Sequence, residues 1–209
     1  MRSNWLVLRA VVLAATAASI AASSAVAQKS TTRGFTIGAH LQGASLTVNE
    51  EDSDNEADSG GGLGARIGYG VNRRFTPYFE IDAIVFDVAN PDFGGYWSMA
   101  HIDLGLRFNF ANSLRRWIPF LEGALGVRAV QVDDARVDGS SVGELNFTGG
   151  AASIGGGISF FATEKLAIES LMKFTGGTFE QVEVGNISVN NLDIDASSFR
   201  FKIGLAWWP

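Results

Sequence analysis

Residues 197–208 read Ser-Ser-Phe-Arg-Phe-Lys-Ile-Gly-Leu-Ala-Trp-Trp, and their rhythm decides the fold. Phe199, Phe201, Ile203, Leu205 and Trp207 take every second position, with Arg200 and Lys202 between them. A two-residue period is that of a β-strand, whose side chains point alternately to opposite faces. One face of this strand must meet something apolar. The other must meet water or opposite charge.

The same rhythm extends upstream. It predicts eight strands over 34–49, 60–71, 75–88, 97–110, 118–133, 147–162, 166–182 and 197–208. The connections alternate strictly in length. Those at 72–74, 111–117 and 163–165 are short; those at 50–59, 89–96, 134–146 and 183–196 are long. An up-and-down meander with turns on one side and loops on the other has this form, and membrane barrels follow that rule. Charge divides the same way. The 50–59 loop carries six acids and no base, whereas the short side holds Arg73, Arg74, Arg115, Arg116 and Lys165 against Glu164.

Two geometries fit the alternation. A soluble barrel keeps its apolar face inside, and a membrane barrel exchanges the faces. Three features favour exchange. The polar face is loaded with glycine, which suits a narrow lumen where small residues sit beside long ones. Its charges balance: Glu80, Asp82, Asp103, Glu122 and Glu169 against Arg66, Arg107, Arg128, Lys173, Arg200 and Lys202, with His101 among them. Balance is what a confined network needs, because an unpaired buried charge is costly. Aromatics gather near the short turns, at Phe35, Tyr69, Phe75, Phe108, Phe110, Trp117, Phe160, Trp207 and Trp208, as an interfacial girdle would. Slipping the last strand by one residue would turn Arg200 and Lys202 into lipid, at roughly 4–8 kcal/mol for the pair near the midplane. Strands 3 and 7 break the pattern. With Glu80 and Asp82 inward, Ile84 and Phe86 are inward too, while Ser170 falls on the lipid face and Leu171 in the lumen. A register change or bulge near the outer rim would account for both.

The first residues read as a secretory signal. Arg2 and Arg9 precede an apolar run from Ala10 to Ala22, and Ala25-Val26-Ala27 is a small-x-small cleavage site. This predicts a signal peptide over 1–27 and a single barrel domain over 28–209. Cysteine is absent, so disulfides and thiolate metal sites are excluded. The net charge of −6 gives no sign of nucleic-acid binding.

Signal sequence, alternating strands, unequal connections and the final Phe201-Lys-Ile-Gly-Leu-Ala-Trp207-Trp208 together resemble the small outer-membrane β-barrels of Gram-negative bacteria, such as OmpA-type barrel domains and opacity-like surface proteins. The resemblance covers about 35–209. It implies an all-β, eight-stranded antiparallel up-and-down transmembrane barrel in the bacterial outer membrane, with periplasmic termini. It also implies outer-membrane lipid and lipopolysaccharide as surroundings, and the barrel-assembly machinery as a partner. In such families the last strand is an assembly signal that commonly ends in Phe; here Pro209 follows the two tryptophans.

Eight strands leave a lumen that side chains can fill, so a plugged, monomeric barrel with a structural or surface-interaction role is expected, contacting host or envelope surface ligands through its outer loops. The alternatives are a narrow pore, an outer-membrane lipid-modifying enzyme, and a soluble exported lipocalin-like ligand-binding barrel. Small outer-membrane barrel enzymes use a His with a Ser and a carboxylate, and the only histidines are His40 and His101. His101 lies two residues from Asp103 on one face, but no serine stands at a recognisable spacing. No catalytic residue, cofactor or metal site is therefore expected. The acidic run with Asp52, Asp54 and Asp58 lacks the glycine and closing glutamate of an EF-hand loop.

Overall fold

The computed structural model describes residues 30–48, 58–87, 97–110, 115–137, 140–184 and 187–209. The expected signal peptide, the 89–96 connection and most of the acidic 50–59 loop lie outside the described residues. Eight strands follow in order: β1 Gly34–Val48, β2 Asp58–Gly70, β3 Phe75–Asp87, β4 Trp97–Asn109, β5 Trp117–Val137, β6 Ser140–Phe161, β7 Leu166–Val184 and β8 Ile187–Trp207. Each pairs antiparallel with its neighbour in sequence, and β1 pairs with β8, so the sheet closes into a barrel.

The short turns are held by side chains that imitate backbone. Asn72 Oδ1 accepts hydrogen bonds from the amides of Arg74 (2.8 Å) and Phe75 (3.0 Å). Thr163 Oγ1 does the same for Lys165 (3.3 Å) and Leu166 (3.0 Å). Asn and Thr are suited to this because a short polar side chain reaches the amide two residues on. The segment before β1 crosses this end of the barrel: the Thr31 amide donates to the Glu164 carbonyl, and the Thr32 hydroxyl to the Arg73 carbonyl.

The faces are those of a membrane barrel. Leu104 is 68% exposed and Leu125 71%, while Lys173 and Arg200 are fully buried. A water-soluble fold would distribute these residues the other way, since contiguous exposed apolar surface of this extent is not tolerated in water. Glycine supports the interior where side chains approach a neighbouring strand. A Cβ on Gly64 would run into the Asp82 carboxylate and the His40 ring, and one on Gly105 into the Tyr78 ring.

Two expectations are corrected. The connections at 134–146 and 183–196 are largely strand, not loop. Ala135 pairs with Gly143 and Val137 with Ser140, while Gln181 pairs with Asn190 and Val184 with Ile187. Acidic and polar composition suggested loops there, but cross-strand pairing continues beyond the apolar belt. The wall formed by β5 to β8 therefore stands taller than that of β1 to β4. The second correction concerns β3. It runs in unbroken register against both β2 and β4, and Ile84 and Phe86 simply point inward and are buried. β7 does carry a register shift toward the long connections, at Phe179/Gln181, against both β6 and β8, and a further one lies between Val132 and Arg136 on β5.

The interior is layered as a result. Toward the long connections, Leu46, Ile84, Phe86, Met99, Val130 and Phe179 form an apolar cluster. At the short-turn end, Ile118, Phe161, Ala167, Ala206 and Trp208 form another. Charge occupies the band between.

Candidate functional site

Every strand contributes a polar side chain to the central band, because each presents its inward parity there. Glu80 on β3 is the hub. Its Oε2 accepts from Arg66 Nε (2.8 Å), and its Oε1 from Lys173 Nζ (2.6 Å) and Lys202 Nζ (2.8 Å). Asp82, two residues on, takes Arg200 and Lys202 on Oδ2 (both 2.5 Å), and its Oδ1 lies 2.7 Å from His40 Nε2. Across the lumen, Glu122 on β5 holds Arg66 in a two-pronged contact (2.9 and 2.8 Å) and also takes Arg107 Nε at 3.3 Å. Glu169 on β7 holds the other end of Arg107 (2.6 and 3.1 Å) and accepts from the Ser159 hydroxyl (2.7 Å). Asp103 takes Lys173 at 3.0 Å, with Arg200 at 3.5 Å. Planar guanidinium groups fit carboxylates in this forked manner and also stack on rings. Arg66 lies 4.0 Å from the Tyr78 ring centroid and Arg107 3.7 Å from that of Phe120.

These contacts bring together ten of the eleven charged residues expected in the lumen. Arg128 stands apart. It is buried, donates to the carbonyls of Ala196 (3.2 Å) and Gly177 (3.4 Å), and sits 4.6 Å from the Phe179 ring centroid. Among the described residues no carboxylate pairs with it. It borders the apolar cluster that holds Val130, Phe179 and Ala196.

The histidines differ from the sequence reading. His101 is buried, but its ring nitrogens have no hydrogen-bond partner among the described residues, and Asp103 turns to Lys173 and Arg200 instead. The histidine–carboxylate contact is made by His40 with Asp82. No hydroxyl among the described residues hydrogen-bonds to either imidazole, so no nucleophile is assembled beside them. His40, Glu80 and Asp82 bring ligand atoms within 4.8 Å of one another. A metal there would have to displace Lys202, which bridges both carboxylates, so the donor set is already occupied by the protein's own cations.

Several interior groups were not singled out from sequence. The Ser153 and Thr175 hydroxyls meet at 2.8 Å, and Thr175 accepts from Arg200 at 2.7 Å. Tyr78 and Phe120 supply the rings under the guanidinium groups. Parity on their strands was the available signal, since each shares the inward phase of a charged neighbour. Between the band and Trp208, a cavity of about 40 Å³ is lined by Thr36, Tyr78, Arg107, Glu169 and Trp208 among others. That is room for a few water molecules beside polar partners.

Outward aromatics ring the short-turn end. Phe35 pairs across strands with Tyr69, Phe75 packs on Phe108 at 5.2 Å, Phe108 on Phe110 at 5.0 Å, and Trp117 on Phe160 at 4.5 Å. Trp207 is exposed beside them. Trp208 does not join the ring. It is buried, packs on Phe161 at 5.3 Å, and is fixed by its amide donating to the Lys165 carbonyl at 2.7 Å. Strict alternation sends Trp208 inward once Trp207 points outward, and there it closes the short-turn end of the lumen.

Residues 11–206 match the family described as outer membrane protein beta-barrel domain. No curated protein matches the chain. Neisserial surface protein A superimposes on it with a TM-score of 0.57 at 14% identity, covering 82% of this chain and 96% of that one. Ail, the attachment invasion locus protein of Yersinia pestis, solved with the heparin analogue sucrose octasulfate, superimposes with a TM-score of 0.52 at 12% identity, covering 83% and 99%. At these identities the likeness is one of fold.

Proposed function

The chain belongs to the outer-membrane β-barrel domain family, and on that premise we propose that it is a closed, monomeric surface barrel that presents its long-connection end to the exterior. Both termini and the short turns then lie in the periplasm, after removal of residues 1–27 and assembly by the barrel-insertion machinery. One observation carries the reading: the lumen is filled by a cross-braced charged band between two apolar layers, so the protein's working surface is its rim. The tall β5–β8 wall makes up much of that rim. Ail was crystallised with a polysulfated sugar. The six acids of 50–59 would repel such a ligand, so basic patches on envelope or host proteins are the better match here. The reading is non-catalytic: the polar groups of the lumen are engaged in bracing the barrel wall.

Membrane fractionation and planar-bilayer recording test this together. The protein should resist carbonate extraction and show no steady conductance. Release by carbonate without detergent would overturn the membrane placement, and an ohmic channel would overturn the closed lumen.

A further inference from the structure

The short-turn end carries a groove that the closed barrel does not use. It has a volume of about 780 Å³, and its lining combines the turn residues Arg73, Arg74 and Arg115 with the aromatic side chains of Phe108, Phe110 and Trp117. We propose that it binds the phosphate headgroup of an anionic phospholipid, with the acyl chains descending over the aromatic side.

The three arginines come from two adjacent connections, the turn between β2 and β3 and the end of that between β4 and β5. All three are exposed, and among the described residues none pairs with a carboxylate. This contrasts with the lumen, where, among the described residues, Arg66, Arg107, Lys173, Arg200 and Lys202 are all paired with carboxylates. It contrasts also with the third short turn, where Glu164 precedes Lys165. The backbone of the first turn is fixed by Asn72, and the Asn109 amide donates to the Arg74 carbonyl at 2.7 Å, which ties that turn to the end of β4. The aromatic side belongs to the outward ring, and T-shaped packing of Phe108 on Phe110 gives it a continuous apolar surface. Cations just beyond an aromatic ring reproduce the order of a lipid read from its chains outward: hydrocarbon, glycerol, phosphate. Arginine forks match phosphate oxygens in pairs, which a diffuse surface charge does not require.

The inference rests on the membrane reading, and one experiment separates the two. The detergent-held protein is exposed to an equimolar mixture of phosphatidylglycerol and phosphatidylethanolamine with identical chains, and retained lipid is counted by native mass spectrometry. Flotation with vesicles of the same mixture is run in parallel. The wild type should prefer phosphatidylglycerol by about fivefold for each arginine engaged. The triple variant Arg73→Gln, Arg74→Gln, Arg115→Gln should lose that preference while still floating and remaining heat-modifiable on a gel. Replacing the three arginines by lysine should weaken it, and Lys165→Gln should leave it intact. A floating wild type without preference, or a triple variant that keeps it, overturns the site. Equal loss in Lys165→Gln overturns it too, since the attraction would then be diffuse. Failure to float overturns the membrane reading itself.

Discussion

Lys173 and Arg128 are both long, cationic and buried, yet their removal should cost very different amounts. Lys173 Nζ lies 2.6 Å from Glu80, 3.0 Å from Asp103 and 3.6 Å from Glu122. Lys173→Met leaves three carboxylates short of a counter-charge inside a closed wall. Breaking a buried pair from one side costs about 3–5 kcal/mol. Arg128 faces no carboxylate among the described residues. Arg128→Met gives up two carbonyl contacts and the Phe179 ring, removes an uncompensated charge, and adds an apolar side chain beside Val130 and Phe179. The net should lie within about 1 kcal/mol of zero. Reversible urea unfolding in lipid vesicles, followed by tryptophan fluorescence, measures both. Equal costs for the two variants would refute the claim that pairing, rather than mere charge, holds the band together.

The outward face predicts a gradient. Leu104→Arg, at mid-strand, should cost about 2–4 kcal/mol, and Tyr69→Arg, at the rim, about 0–1, in the same unfolding assay. Trp208→Ala should lose about 3–5 kcal/mol of packing against Phe161. Bilayer recordings should nonetheless stay silent, because the charged band above it is intact. Gly105→Ala should destabilise by about 1–3 kcal/mol by pushing the Tyr78 ring from beneath Arg66. Gly43→Ala, where an added Cβ meets nothing within 4 Å, should stay within about 0.5 kcal/mol.

Much of the architecture was legible because a two-residue period leaves little freedom. Once Arg200 and Lys202 are placed on one face of β8, Phe199, Phe201 and Ile203 must occupy the other. The charge inventory of the lumen followed from the same parity. What parity could not convey is height. Ile84 and Phe86 looked like a fault in the pattern, but they share the inward face of Glu80 and Asp82 and sit one layer higher. Trp208 was grouped with its outward neighbours by residue type, although alternation opposes Trp207 and Trp208. Partner choice was equally hidden. His101 is two positions from Asp103 along one strand, but Asp103 reaches across the lumen to Lys173 on β7. The length of β5 to β8 was missed because polar residues that continue a ladder above the apolar belt have a composition like that of loops.

The spokes across the lumen also constrain the order in which such a protein can be built. Glu80 and Asp82 arrive on the third strand, but three of their partners, Lys173, Lys202 and Arg200, lie on the last two. Until those strands dock, an open sheet has carboxylates on the very face that will become its inside. Closing the sheet and giving Asp82 its two cations, Arg200 and Lys202, both fall to the same C-terminal strand.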